Sequence, residues 1–223
     1  KGSSFGENKR NIFAAALLLK HRIDPKFNYE LGFRKEATAN YESPFLFSLA
    51  ATKDLNSLFS LNFNASRNFR IPTYNDLYWP SAGNPDLLPE KSLQGEVGVA
   101  FSLNNFKAIL STYYNKITDM AIEANTTWKF NKATVNVSYD YSRFNANLQF
   151  LRVGEVFTRS DNNSRYNLEG YNVGNFSLGY RLGKSEKFEL GGRVNNFLDA
   201  EYQSVENRWM PGRNYTMYLN FKL

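Results

Sequence analysis

His21 is the only histidine in the chain, and cysteine is absent. A nucleophile–base–carboxylate triad needs an imidazole within hydrogen-bond reach of a hydroxyl or thiol. His21 stands instead in a strand-like stretch beside a short turn at Asp24–Lys26. A lone histidine without thiolates makes no zinc cluster. Asp119 with Asp161–Asn163 offers oxygen ligands, but the spacing is not that of a calcium-binding loop, and a solvated turn is the plainer reading. Gly191–Arg193 and Pro211–Arg213 lack the Gly-x4-Gly-Lys spacing of a phosphate loop. No catalytic residue, resident metal or cofactor is predicted, and the chain is not read as an enzyme.

Binding is the chemistry the remaining residues suit. From Asn68 to Ser92 an irregular stretch holds Pro72, Pro80, Pro85 and Pro89 with Phe69, Tyr74, Tyr78 and Trp79. Proline fixes φ and lowers the entropy of the unfolded loop. Tyr74, Tyr78 and Trp79 form either an aromatic shelf for a ligand's ring system or a wedge that fixes the loop to a rim. The second role is expected to come first, with ligand contact secondary. Arg70 and Glu90 are placed to pin the two ends of the stretch as an ion pair. Arg208, Trp209 and Met210, in a later irregular segment, are ligand-contact candidates of the same kind, and Arg213 is expected to point inward.

The elements that hold these residues are strands. Leu93, Gly95, Val97, Val99, Phe101 and Leu103 fall on one face, and Gln94, Glu96, Gly98, Ala100, Ser102 and Asn104 on the other. The same period of two recurs in Phe59–Asn64, Asn175–Leu182, Phe188–Asn195 and Tyr215–Leu223. It predicts an all-β chain with no convincing helix. About twelve strands are expected, near 9–23, 27–41, 44–53, 57–69, 91–104, 106–119, 121–130, 133–143, 144–158, 172–183, 187–198 and 213–223. Several exceed the usual strand length of about five or six residues. No apolar run suits a transmembrane helix, and residues 1–10 do not read as a signal peptide. The net charge of +6 comes from scattered Lys and Arg, which argues against nucleic acid and for a mixed surface, with lipid or lipopolysaccharide contacts as the other use.

Alternation alone does not separate a soluble sandwich from a membrane barrel. Connection lengths favour the barrel. Short turns are expected at Asp24–Lys26, Lys53–Asn56, Asn104–Asn105, Asn131–Lys132 and Gly183–Glu186, and long connections at 70–90, 159–171 and 199–212. Short turns at one end and long loops at the other mark an antiparallel transmembrane β-barrel. The strand directions then conflict at Arg143–Phe144, which predicts a missing descending strand there. A second missing segment is expected at Met120–Ala121, where an outer loop is due.

The stretch SRNFRIPTYNDLYWPSAGNPDLLPEKSLQGEVGVAF resembles a signature of TonB-dependent outer-membrane receptors, carried by Arg70, Pro72, Thr73, Leu77, Tyr78, Gly83, Asn84, Pro85, Leu87, Pro89, Glu90, Ser92, Glu96 and Gly98. VNNFLDAEYQSVENRWMPGRNYTMYLNFKL is similar to the same family's C-terminal pattern, with Phe197–Leu198 where Leu-Phe is usual. Tyr113, Ile117 and Asp119 match a third segment. The last residue, Leu223, departs from the family's usual Phe, with Phe221 two positions earlier.

The resemblance implies that residues 1–223 are the C-terminal portion of one barrel of about 22 strands, with the plug domain absent. It further implies an outer-membrane importer of a Gram-negative bacterium. A small-molecule ligand would bind at the outer loops and enter with energy from the TonB complex, which engages the absent N-terminal part. The cobalamin receptor branch fits best and a ferric-siderophore receptor is the alternative. Residues implied at the ligand are Tyr74, Tyr78, Trp79, Arg208 and Trp209. Outer-membrane lipid and lipopolysaccharide are implied partners, and a surface-exposed lipoprotein capping the barrel is left open. Asn62, Asn64, Glu96, Asn136, Arg193 and Asn195 would line the lumen. A passive porin or an outer-membrane barrel enzyme is the rival of another class.

Overall fold

A computed structural model describes residues 9–38, 40–80, 83–119, 127–157, 165, 167–183 and 186–221. Its strands are β1 (Ile12–Asp24), β2 (Phe27–Thr38), β3 (Leu46–Asp54), β4 (Phe59–Arg70), β5 (Glu90–Leu103), β6 (Phe106–Thr118), β7 (Thr127–Tyr141), β8 (Phe144–Val153), β9 (Tyr171–Leu182), β10 (Phe188–Asn195), β11 (Gln203–Val205), β12 (Arg208–Trp209) and β13 (Asn214–Phe221). Eleven of them make one antiparallel sheet in chain order, β1 through β10 and then β13, while β11 and β12 form a separate hairpin. The sheet does not close on itself: β1 and β13 are its two edges.

Register sorts the side chains into two faces. Phe59 pairs with Phe101, Leu61 with Val99, Phe63 with Val97 and Arg67 with Leu93. Val97 then pairs with Thr112, Val99 with Leu110 and Phe101 with Ala108. The same face continues through Val135, Val137 and Tyr139 to Phe144, Leu148 and Phe150. Among the described residues no second layer covers it. Leu93, Val97 and Leu110 are 48%, 46% and 51% exposed. Glycines aside, the buried apolar residues among those described are Leu46, Leu77, Leu87, Val173, Pro72 and Pro89. A face this apolar, with no core to enter, is built for hydrocarbon rather than water.

The opposite face is polar. Thr52 Oγ1 donates to Asn62 Oδ1 at 3.1 Å. Gln149 Nε2 donates to Asn136 Oδ1 and Asn175 Nδ2 to Gln149 Oε1, each at 3.2 Å. Glu96 faces Asn64 on one side and Tyr113 on the other. Arg193 stands between Ser177 and Thr216. All six residues expected along the lumen therefore share one face, and the soluble-sandwich alternative fails.

The short connections gather at one end of the sheet. Lys26 N donates to Asp24 Oδ1 at 2.7 Å, and Asn56 Oδ1 accepts from the amides of Leu58 and Phe59 at 2.8 and 2.9 Å. Asn104, Ser142 and Gly183 take positive φ of 49°, 52° and 76° to reverse the chain. Rings crowd the apolar face at this same end. Phe59 lies 4.9 Å from Phe101, Phe144 4.7 Å from Tyr180, and Phe188 4.9 Å from Phe221 between ring centroids. Such a belt marks a membrane–water boundary.

Two expectations are corrected. The described residues of the predicted pair 121–130 and 133–143 form one strand, β7. Asn131 and Lys132 are not a turn, because they stay in the ladder opposite Tyr114 and Tyr113. Asn131 falls on the apolar face and breaks the alternation without breaking the strand. The turn is Ser142–Arg143, closed by the Tyr141–Phe144 pair. Strand directions then alternate throughout, so the premise for a missing strand at Arg143–Phe144 falls away. The predicted gap at Met120–Ala121 lies outside the described residues. The other correction is a short helix, α1 (Tyr74–Tyr78), within the long loop after β4.

The two faces give opposite outcomes for one substitution. Leu110→Arg, on the apolar face mid-strand, is expected to cost about 2–4 kcal/mol. Ile109→Arg, one residue away on the polar face, is expected to cost under about 1 kcal/mol. Reversible denaturant unfolding of the intact barrel in lipid vesicles measures both.

Candidate functional site

The long connections lie at the end of the sheet opposite the short turns, and two of them carry the candidate residues. In the β4–β5 loop the segment after Arg70 turns into α1 through a capping box. Thr73 N donates to Asp76 Oδ2 at 2.7 Å and Asp76 N donates to Thr73 Oγ1 at 3.2 Å. That exchange satisfies two amides that a helix start leaves without partners. The Arg70 guanidinium reaches both Asp76, at 3.6 Å, and Glu90, at 3.9 Å. The expected Arg70–Glu90 pair is present, and Asp76 extends it to the helix. Arg70 is 55% exposed, so the clip fixes geometry more than it stabilises.

Burial within this loop belongs to prolines and leucines of the signature stretch. Pro72 is fully buried, and Leu77 and Leu87 are 3% and 4% exposed. Arg10 Nη1 donates to the Pro72 carbonyl at 2.8 Å. The same guanidinium lies over the rings of Tyr74 and Tyr41, 5.0 and 5.6 Å from their centroids. Tyr74 stacks on Tyr78 with centroids 6.2 Å apart. Gly83 N donates to Trp79 O at 2.7 Å, and a Cβ on Gly83 would stand 2.5 Å from the Trp79 amide nitrogen, so only glycine permits this fold-back. Tyr78 and Trp79 remain 41% and 51% exposed. Pro72, Leu77 and Leu87, rather than Tyr78 and Trp79, supply buried apolar surface in this loop.

The loop after β10 is organised by Asn196, 3% exposed. Its backbone amide donates to Asn175 Oδ1 at 2.9 Å. Its side chain donates to the carbonyls of Ala200 and Pro211 at 2.9 and 3.3 Å and accepts from Ala200 N at 3.0 Å. One side chain thus joins the start and finish of the loop. Arg213 completes the closure, donating from N to Asp199 Oδ1 at 2.8 Å and from Nε to Phe197 O at 3.1 Å. Its expected inward role is replaced by this anchoring one. Phe197 packs over Gly174, where a Cβ would come within 2.4 Å of the ring. Tyr202 stacks on Tyr171 at 4.2 Å. Above this base the β11–β12 hairpin pairs Gln203 with Trp209 and Val205 with Arg208. Its turn residue Asn207 has φ 61°, and Asn207 N donates to Gln203 Oε1 at 2.8 Å. Trp209 is 66% exposed.

The structure therefore sets Tyr74, Tyr78 and Trp79 on one clamped loop and Arg208 and Trp209 on another, both at the long-loop end. His21 sits at the far end, its Nδ1 3.2 Å from Tyr29 Oη. Asp161–Asn163 lie outside the described residues, and among those described no cluster of metal-ligating side chains occurs. The Thr73-x-x-Asp76 spacing was the sequence signal for α1; Leu77 and Leu87 stood in the signature stretch, but nothing in it marked them as the buried residues.

A family model described as TonB dependent receptor-like, beta-barrel, matches residues 2–133. The chain is 28% identical over 210 residues to the vitamin B12 transporter BtuB of Vibrio vulnificus (strain YJ016), covering 69% of this chain and 33% of the relative. It is 32% identical over 99 residues to the vitamin B12 transporter BtuB of Photobacterium profundum, covering 44% of this chain and 16% of the relative. The siderophore receptor PirA from Acinetobacter baumannii shares the fold with a TM-score of 0.55 at 15% identity, over 95% of this chain and 46% of that one. The chain spans a third or less of the curated relatives it matches, 33% and 16% of their lengths.

Leu77→Ala is expected to destabilise the closed β4–β5 loop by about 2–5 kcal/mol, as for a buried leucine. Trp79→Ala, at a half-exposed position, is expected to change it by less than about 1 kcal/mol. Hydrogen exchange of the Leu77, Trp79 and Gly83 amides reads the difference, since each is bonded within the loop.

Proposed function

Because the chain belongs to the TonB-dependent receptor β-barrel family, we propose that residues 1–223 form part of the wall of one receptor that imports a scarce solute. Members of this family are outer-membrane transport receptors of Gram-negative bacteria, not enzymes. In this reading the long-loop end faces outward and takes up the solute. The polar face holds a plug, which the TonB complex displaces. No covalent change is made to the solute.

One observation carries the ligand site. Tyr78, Trp79 and Trp209 present half-exposed rings, while the loops beneath them are clamped by Arg70, Leu77 and Asn196. Rings held at low entropy suit a large, partly flat solute. Cobalamin is the favoured cargo, supported by the names of the two curated relatives. A ferric siderophore is the second reading, supported by the siderophore receptor that shares the fold. A surface-exposed lipoprotein over the mouth is compatible with either.

Titration of the intact receptor with cobalamin, and separately with a panel of ferric siderophores, tests the proposal. Cobalamin binding with no siderophore binding is expected. Tyr78→Ala and Trp209→Ala should each weaken it at least tenfold, about 1.4 kcal/mol, with unfolding unchanged. Siderophore binding alone would transfer the assignment to the second reading. Binding untouched by either substitution would remove these rings from the site.

A further inference from the structure

The apolar face carries a second ordered feature, at the long-loop end. Arg67 on β4 pairs with Leu93 on β5, and Leu93 pairs with Lys116 on β6. Lys91 lies two residues beyond Leu93 on the same face, opposite Phe69 and Thr118. Directly opposed residues in an antiparallel pair stand about 4.5–5.5 Å apart and diagonal ones about 7–8 Å. Arg67 and Lys116 therefore stand two strand spacings apart, about 10 Å at Cβ, with Lys91 diagonal to both, and their long side chains can converge over Leu93 on one phosphate group. Lys35 on β2 and Arg152 on β8 stand on this face at the same end. Those two are engaged, Lys35 with the Ser43 carbonyl and Arg152 with Asn172 Oδ1 at 3.4 Å. Among the described residues the side chains of Arg67, Lys91 and Lys116 have no hydrogen-bond or ion-pair partner. From β2 to β8 this face presents no Asp or Glu among the described strand residues.

The other end of the same face is unlike it. There the aromatic belt dominates, and Lys53, lying 5.3 Å from the Phe27 ring centroid, is the cation that β2–β8 place on it. Clustered like charges repel, so three unneutralised cations on a hydrocarbon-facing wall require a counter-charge that this chain does not supply. The side chains below them in register are Phe63, Val97, Leu110 and Tyr114. A ligand with a phosphate at the level of the cations and alkyl chains running down the wall satisfies both halves.

We propose that Arg67, Lys91 and Lys116 form a binding site for the phosphate of lipopolysaccharide in the outer leaflet. Arg67 would engage two phosphate oxygens with its planar fork, and the two lysines would act as point charges. The inference rests on the outer-membrane orientation, with the long loops outside.

The test uses the intact receptor extracted from outer membranes in mild detergent, with lipopolysaccharide counted per barrel by native mass spectrometry. The triple variant R67Q/K91Q/K116Q is expected to retain at least tenfold less than the wild type, with unchanged heat-dependent gel migration. Lys53→Gln is expected to retain the wild-type amount. Re-addition of purified lipopolysaccharide should restore the wild type only, and dephosphorylated lipopolysaccharide or phosphatidylglycerol vesicles should not compete. If the triple variant fails to assemble, Lys91→Gln and Lys116→Gln singly should each give a partial loss. Wild-type retention by the assembled variants overturns the site, as does effective competition by the dephosphorylated form. Orientation is read separately. This chain has no cysteine; with any cysteine elsewhere in the intact receptor replaced by serine, Ser204→Cys in the β11–β12 hairpin reports exposure to an impermeant maleimide on whole cells. Labelling together with unchanged lipopolysaccharide sinks the site alone; absence of labelling overturns the orientation it rests on.

Discussion

A strand in hydrocarbon finds no water for its amides, so every backbone donor and acceptor must be met by a neighbouring strand. The main structural features follow from that requirement. Strands must be long enough to cross, as β5 and β7 are, and must run antiparallel so that tight turns can join them. Because successive side chains point to opposite faces, one row meets lipid and the other meets whatever the barrel contains. The chain answers with Val97, Val99 and Phe101 on one face and Gln94, Glu96 and Gly98 on the other. A slip of one residue would put Glu96 into the hydrocarbon, and the face pattern therefore fixes register as firmly as the hydrogen bonds do.

The mouth inherits its geometry from this wall. Arg70 ends β4 and Glu90 begins β5, and these two are partners in the ladder before they are an ion pair. Asp76 is drawn to the same guanidinium, which sets the direction of α1. Asn196 follows the last residue of β10 and bonds to Asn175 on β9, so the final loop is tied to two strands at its root. Both loops are thus irregular only beyond a point that the sheet has already fixed. Their aromatic surfaces stand on a framework whose position does not depend on a ligand.

Much of this was legible in the sequence because a period of two survives in a chain whose two faces meet different media. Leu93–Leu103 shows it without interruption. Asn131 misled because a polar residue on the apolar face reads as the end of a strand, and only its place in the ladder beside Tyr114 reveals that it is not. The five-residue α1 is too short for a helical period to appear, although its Thr73-x-x-Asp76 cap was there to be read. Leu77 and Leu87 were overshadowed by the larger rings beside them. Arg67, Lys91 and Lys116 lie far apart in the chain and become neighbours only through register, which no single stretch of sequence records.

The strand order has a kinetic consequence. Each strand of the large sheet pairs with the one before it in the chain, apart from the small hairpin interposed before β13. Closing a loop costs entropy that grows only slowly with its length, and pairings between sequence neighbours are the fastest to find. A wall so ordered can grow by adding one hairpin at a time to an existing edge, without waiting for distant segments to meet. The turns at Asn104–Asn105 and Ser142–Arg143 are then the sites where growth starts afresh, each bringing two strands into register before the next arrives.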